Sequence, residues 1–223
     1  MIKTTLISAI LVSLVTACSS TLAPKELDSS DVILDRLQRV TNAQVGMAYV
    51  DPDIDLSQFT KIMLDPLDMQ KVEIVQPSRS VTQRNAWVLN DRDKEALARN
   101  FKEVFTSELA ETGDYEVVDE AGPDVLRITP VLTAIRPTAA QDTSQGRSMG
   151  RSRVYTEGAG SVSMTFGFSD SQTKQVLAVV KDTRNGSPHW GMNNSVTNMS
   201  DVRFMFARWA RMIRARLDLA HGY

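Results

Sequence analysis

Three aspartates stand at alternating positions in the segment DPDIDLS, and rows of carboxylates are ligands that calcium accepts in proteins. They are Asp51, Asp53 and Asp55. A calcium loop of the EF-hand type needs a glycine at its sixth position and a glutamate at its twelfth, where this chain has Leu56 and Ile62. The pattern therefore favours a polar turn that leads into a strand, and calcium binding by the three aspartates stays open as an alternative.

The histidines offer little for catalysis. The chain has two, His189 and His221, and they do not form the closely spaced pair that a helical zinc site uses. Ser187 lies two residues before His189 and could act as a nucleophile beside a base, but the segment RNGSPHWGMNN is more typical of a surface turn. We therefore expect no enzymatic activity, and we assign no catalytic residue, no metal and no cofactor.

A basic cluster occurs in the segment GRSMGRSRVY, where Arg147, Arg151 and Arg153 alternate with glycines and serines. These arginines could contact lipid phosphate, an anionic glycan or an acidic partner. The surrounding residues show no apolar pattern, so a solvated loop is favoured over a binding segment.

The single cysteine, Cys18, follows an apolar run that has one positive charge, Lys3, ahead of it. This arrangement is typical of a secretory signal peptide over residues 1–17. The sequence Val15-Thr16-Ala17-Cys18 resembles a bacterial lipobox, which implies that the cysteine is acylated and becomes the mature N-terminus. Several acyl chains hold a protein stably on a membrane, whereas one does so only marginally. Ser19 after the cysteine favours the outer membrane.

The chain carries 25 Lys and Arg against 27 Asp and Glu, a formal net charge of −2. This balance lacks the basic surplus of a nucleic-acid-binding protein, so no nucleic-acid partner is expected. Residues 18–50 are predicted to be the lipidated N-terminus and a tether. Residues 51–223 are predicted to form one domain, which has no further cysteine and must be stabilised by its core.

Two stretches have the apolar periodicity of amphipathic helices. In residues 90–113 the apolar positions are Leu97, Phe101, Val104, Phe105 and Leu109, with Asn90 or Asp91 as the cap. In the last helix, which we expect to be capped by Ser200, they are Val202, Phe206, Trp209, Ile213 and Leu217.

The remaining segments favour strands. Apolar and polar residues alternate in residues 59–64, 71–75, 115–120 and 124–137, and again in a predicted hairpin over 160–180. Pro130 within 124–137 suggests that this strand lies at an edge of the sheet or contains a bulge. Two helices with one apolar face each need a sheet to cover. The sequence therefore predicts an α+β two-layer domain with a mixed, mostly antiparallel sheet.

Several segments together resemble a family of bacterial lipoproteins of unknown function, the DUF3313 family. They are YVDPDIDLSQFTKIMLDPLDM, LNDRDKEALARNFKEVFTSELA and YEVVDEAGPDVLRITPVLTAIRP, together with the hairpin. The resemblance implies export, lipidation and an α+β domain, and it supplies no activity.

These observations lead to a predicted function. We expect a lipoprotein anchored in the outer membrane whose domain faces the periplasm and binds another envelope component, most simply a protein, without catalysis. Two alternatives stay open: a sensory module that binds calcium or a small ligand, and an envelope hydrolase. A concave apolar pocket would favour the small-ligand alternative.

Overall fold

A computed structural model describes residues 36–41, 43–77, 86–111, 115–139, 155–192 and 195–222. Cys18, the signal peptide and the basic cluster at Arg147, Arg151 and Arg153 lie outside these ranges. The helices are α1 (Asp91–Ala110) and α2 (Ser195–His221). The strands are β1 (Gln38–Arg39), β2 (Met47–Val50), β3 (Lys61–Leu64), β4 (Glu73–Ile74), β5 (Glu116–Val118), β6 (Val125–Pro137), β7 (Tyr155–Glu157), β8 (Gly160–Asp170), β9 (Val176–Asn185) and β10 (Trp190–Met192).

The main sheet has the order β1-β2-β9-β8-β6-β3-β5, and β4 also pairs with β6. Strand β3 is parallel to β5 and to β6, so β3, α1 and β5 form a βαβ unit. The ladders from β6 through β8 and β9 to β2 are antiparallel. The fold is therefore α+β with a mixed sheet, as the sequence predicts. Strands β7 and β10 form a separate two-stranded sheet.

Helix α1 forms where the sequence predicts it. The side chain of Asn90 accepts the N–H of Asp93 at 2.9 Å, and the carboxylate of Asp93 accepts the N–H of Asn90 at 3.3 Å. This reciprocal pair satisfies two N–H groups that a helix start leaves open. All the apolar positions predicted for this helix are buried, namely Leu97, Phe101, Val104, Phe105 and Leu109.

Both helices cover one face of the sheet and share an aromatic core. The ring of Phe101 stacks on Phe105 with centroids 4.1 Å apart and meets the edge of Phe206 at 5.3 Å. The ring of Phe166, from the central strand β8, lies 5.8 Å from Phe105 and 5.9 Å from Trp209. These rings join α1, α2 and the sheet in one apolar cluster.

Ion pairs connect the exposed sides of the two helices. Arg203 lies 3.0 Å from Glu103, Arg211 lies 2.9 Å from Glu108, and Arg214 lies 2.8 Å from Glu111, the residue that ends α1. The hydrogen bond to Glu111 raises the pKa of Arg214 above its ordinary value. These arginines therefore bind the neighbouring helix.

The structure corrects two details of the sequence prediction. Helix α2 starts at Ser195, ahead of the expected cap Ser200. The carboxylate of Asp201 instead accepts the N–H of Ala159 at 2.7 Å, which ties the helix to the start of β8. Pro130 does not mark an edge, because β6 has neighbours on both sides.

Pro130 fits the sheet interior because it lies in the interval between the β3 and β4 pairings. There its carbonyl accepts the N–H of Asp68 at 3.0 Å. The irregularity in β6 falls between Leu132 and Ala134.

Strands β1 and β2 belong to the sheet although they lie within residues 18–50, which the sequence analysis assigned to the tether. Strand β2 pairs with β9 over Met47–Val50, and Leu37 and Ala48 are buried. The folded part therefore begins before residue 51. The strands are too short for alternation to reveal them, and their pairing partner lies far along the chain.

Candidate ligand-binding pocket

An apolar pocket of about 500 Å³ opens between the last turns of α2 and the helix-facing side of β2, β8 and β9. Part of its wall comes from residues 40–41 and 43–45, which lie between β1 and β2. The described residues that line it are Val40, Thr41, Ala43, Gln44, Val45, Ala48, Val50, Ile54, Leu56, Leu126, Phe166, Phe168, Ala178, Val180, Met212, Ile213, Arg216 and Leu217. The volume is within the range of small-molecule sites, which runs from roughly 300 to 1,000 Å³.

The pocket exists because the sheet is wider than its two helices can cover. Strands lie about 4.8 Å apart, whereas packed helices lie roughly 8–10 Å apart, so two helices cover about four strands. Seven strands follow one another in the main sheet. Among the described residues, the helices cover the inner face of β2 and β9 only in part, and small side chains, Ala48 and Ala178, leave space there.

A buried carboxylate fixes the geometry beside the pocket. Asp182, on the helix-facing side of β9, accepts the indole N–H of Trp209 at 2.9 Å and the backbone N–H of Gly46 at 3.0 Å. The Nε of Arg184 lies 2.6 Å from the same carboxylate. One side chain thus holds both α2 and the connection before β2, and these are two of the walls of the pocket.

The mouth of the pocket carries a positive charge. Arg216 is exposed, and it is the one charged side chain among the described lining residues. Unlike Arg203, Arg211 and Arg214, it forms no ion pair or hydrogen bond with any described residue. One turn further from the pocket, the guanidinium of Arg208 lies 5.7 Å from the ring centroid of the exposed Phe204.

The three aspartates of the sequence analysis have separate roles. The buried Asp51 accepts hydrogen bonds from Arg36 and Gln175, each at 3.3 Å, and from the N–H of Asp53 at 3.1 Å. Asp55 caps the short turn Leu56–Gln58 by accepting the N–H and the hydroxyl of Ser57 at 2.9 and 2.6 Å. These hydrogen bonds lower the pKa of Asp55. Among the described residues, no group of three His, Cys, Asp or Glu side chains is arranged to hold a metal.

Neither histidine is among the described residues that line the pocket. Ser187 Oγ lies 2.9 Å from Nδ1 of His189 and also accepts the N–H of His189 at 3.3 Å, so the pair closes a local turn in the segment before β10. His221 is the last residue of α2. There its Nδ1 lies 3.2 Å from the hydroxyl of Tyr115 and 2.9 Å from the carbonyl of Leu217.

Sequence reasoning overlooked two serine patterns that match short hydrolase signatures. Gly146-Arg147-Ser148-Met149-Gly150 lies outside the described residues. Ser171-Gln172-Thr173-Lys174 forms the turn between β8 and β9. The buried hydroxyl of Ser171 accepts the N–H of Gly122 at 3.1 Å and donates to its carbonyl at 2.9 Å, which connects that turn to the turn before β6.

The pocket could not be predicted from the sequence, although Ala48 and Ala178 are small residues in otherwise apolar strands and gave a faint signal of it.

No described helix has the length and apolarity needed to cross a membrane.

Comparison with known families identifies the chain. The model of the family described as "Protein of unknown function (DUF3313)" matches residues 27–213. The chain belongs to the DUF3313 family. No curated protein matches the sequence. The family match covers the pocket apart from the last residues of α2.

Among solved structures, protein XCC0632 from Xanthomonas campestris is 8% identical, with a TM-score of 0.42 over 78% of this chain and 91% of that one. A putative neuraminyllactose-binding hemagglutinin homolog from Helicobacter pylori is 13% identical, with a TM-score of 0.39 over 74% and 86%. The PelC dodecamer from Paraburkholderia phytofirmans is 10% identical, with a TM-score of 0.34 over 78% and 96%. These distant similarities say nothing about what this chain binds.

Proposed function

We propose that this DUF3313 chain is a lipid-anchored envelope protein whose domain binds an apolar envelope molecule without catalysis. The observation that carries the proposal is the apolar pocket of about 500 Å³ beside α2. An apolar cavity of about 150 Å³ already admits benzene, so this pocket has room for a larger apolar group. Of the alternatives predicted from the sequence, the pocket favours a small-ligand-binding module.

The lining supports binding and offers little for chemistry. Arg216 is the one ionisable side chain among its described residues, and a guanidinium offers hydrogen-bond donors but no acceptor. The lining therefore presents no described acid or base for proton transfer. Binding of an apolar ligand is favourable because it removes water from the aliphatic and aromatic side chains of the lining.

The proposed anchor places the domain where apolar molecules are abundant. Acylation of Cys18 would hold the chain on a membrane, and Ser19 favours the outer membrane with the domain in the periplasm. The protein partner expected from the sequence stays a prediction. Crosslinking in intact cells, followed by purification of the chain with whatever is bound to it, would test this prediction.

A pocket-filling variant tests the proposal. The mature chain (residues 18–223) carrying Cys18→Ser, so that neither signal peptide, acyl chain nor detergent competes, is titrated with the neutral fluorescent dye Nile red. We expect saturable binding that becomes at least tenfold weaker in Ala178→Phe, because the new ring occupies the pocket. Val179→Phe is the matched control, since neighbouring strand residues point to opposite faces of the sheet. Equal binding by all three proteins would contradict the proposal.

A further inference from the structure

We infer that the ligand of the pocket is an amphiphile, with an apolar chain in the cavity and an anionic head group, carboxylate or phosphate, beside Arg216. The inference rests on the proposed function and adds the chemical class of the ligand. It depends on the charge at the mouth of the pocket and on the polarity of its walls.

The charge at the mouth is uncompensated within the described structure. Arg203, Arg211 and Arg214 each have a carboxylate on α1 or at its end within 3.0 Å. Arg216 has no such partner among the described residues, and no acidic side chain belongs to the described lining. Its guanidinium keeps all its donors for a ligand, and its planar fork suits the paired oxygens of a carboxylate or a phosphate.

The apolar lining of the pocket indicates that the rest of the ligand is an apolar chain. Behind Arg216 the lining is formed by Met212, Ile213 and Leu217 on the helix, and by Ala178 and Val180 on the sheet. A carboxylate or phosphate placed deep in this space would lose its water with no described polar partner except Thr41 and Gln44. The head group therefore belongs at the mouth and the apolar chain inside.

Surface residues near the mouth agree with a ligand that comes from a lipid layer. Val40, which lines the pocket, is 41% exposed. Four side chains spaced four residues apart lie in one row along α2: Phe204, Arg208, Met212 and Arg216. This row alternates apolar and cationic groups, which suits contact with an anionic amphiphile along its length.

Competition against Nile red tests the inference on the Cys18→Ser chain. Three amphiphiles share a dodecanoyl chain and are used below their micelle concentrations: dodecanoate, the corresponding lysophosphatidylglycerol, and neutral monododecanoylglycerol. We expect at least one anionic amphiphile to displace the dye at about tenfold lower concentration than the neutral one. Arg216→Gln should remove this preference, and Arg211→Gln, which removes the same charge at a paired site, should retain it.

The outcomes separate the two proposals. Preference for dodecanoate assigns the site to free fatty acids, and preference for the lysophospholipid assigns it to membrane lipids. Equal displacement by all three amphiphiles, or equal behaviour of Arg216→Gln and Arg211→Gln, would overturn the anionic head group while leaving an apolar binding site. Failure of every amphiphile, together with dye binding that Ala178→Phe leaves unchanged, would overturn the binding function itself.

Discussion

At the scale of single residues, Asp182 is the side chain on which the walls of the pocket depend. Asp182 is 7% exposed, and its carboxylate accepts hydrogen bonds from Trp209 and Gly46 and forms an ion pair with Arg184. Burial of a carboxylate is costly unless hydrogen bonds and an opposite charge replace the lost water. These three partners supply both, so the charge stabilises the arrangement that surrounds it.

Replacing this carboxylate should destabilise the domain. We expect Asp182→Ala to lower the free energy of unfolding by about 3 kcal/mol, because it leaves the Arg184 cation without its counter-charge and the Trp209 N–H without its acceptor. The urea unfolding midpoint measures the loss. Asp182→Asn keeps an oxygen acceptor and should cost clearly less. An Asp182→Ala protein with the midpoint of the wild type would show that the buried cluster does not contribute to stability.

At the scale of the elements, the helices show what local periodicity determines. The apolar positions predicted for α1 are all buried, and on α2 Phe206, Trp209, Ile213 and Leu217 are buried as well. The predicted start of α2 was wrong: Ser200 looks like a helix-capping residue in sequence, but the helix begins at Ser195, and Asp201 accepts the N–H of Ala159, just before β8. Periodicity is a local property, whereas the end of a helix also depends on what it packs against.

Aromatic residues on the two helices provide a matched test of this core. We expect Phe101→Ala to cost about 3–5 kcal/mol of unfolding free energy, because its ring packs on Phe105 and Phe206 and its removal leaves a cavity. Phe204→Ala removes the same ring from an exposed position on α2 and should cost well under about 1 kcal/mol. Equal urea midpoints for the two variants would show that the helix faces are assigned incorrectly.

At the scale of the whole molecule, the predicted anchor would place the domain at a membrane. Cys18 lies outside the described residues, so its acylation is predicted from the lipobox and the signal peptide alone. We expect radiolabelled palmitate to enter the wild type and not Cys18→Ser, and we expect the variant to leave the membrane fraction. Equal labelling and equal membrane association of the two proteins would contradict the anchor.

The sequence by itself determined the helix faces, the hairpin, the α+β class and the DUF3313 resemblance, because each depends on neighbouring residues or on short segments. Tertiary structure alone decided the position of Pro130 inside the sheet, the inclusion of β1 and β2, and the pairing of the α2 arginines with α1. It also decided the pocket, which lies between α2 and the part of the sheet where β2 pairs with the distant β9. Such pairings are fixed by the packing of the whole chain, and no local pattern encodes the space that they leave.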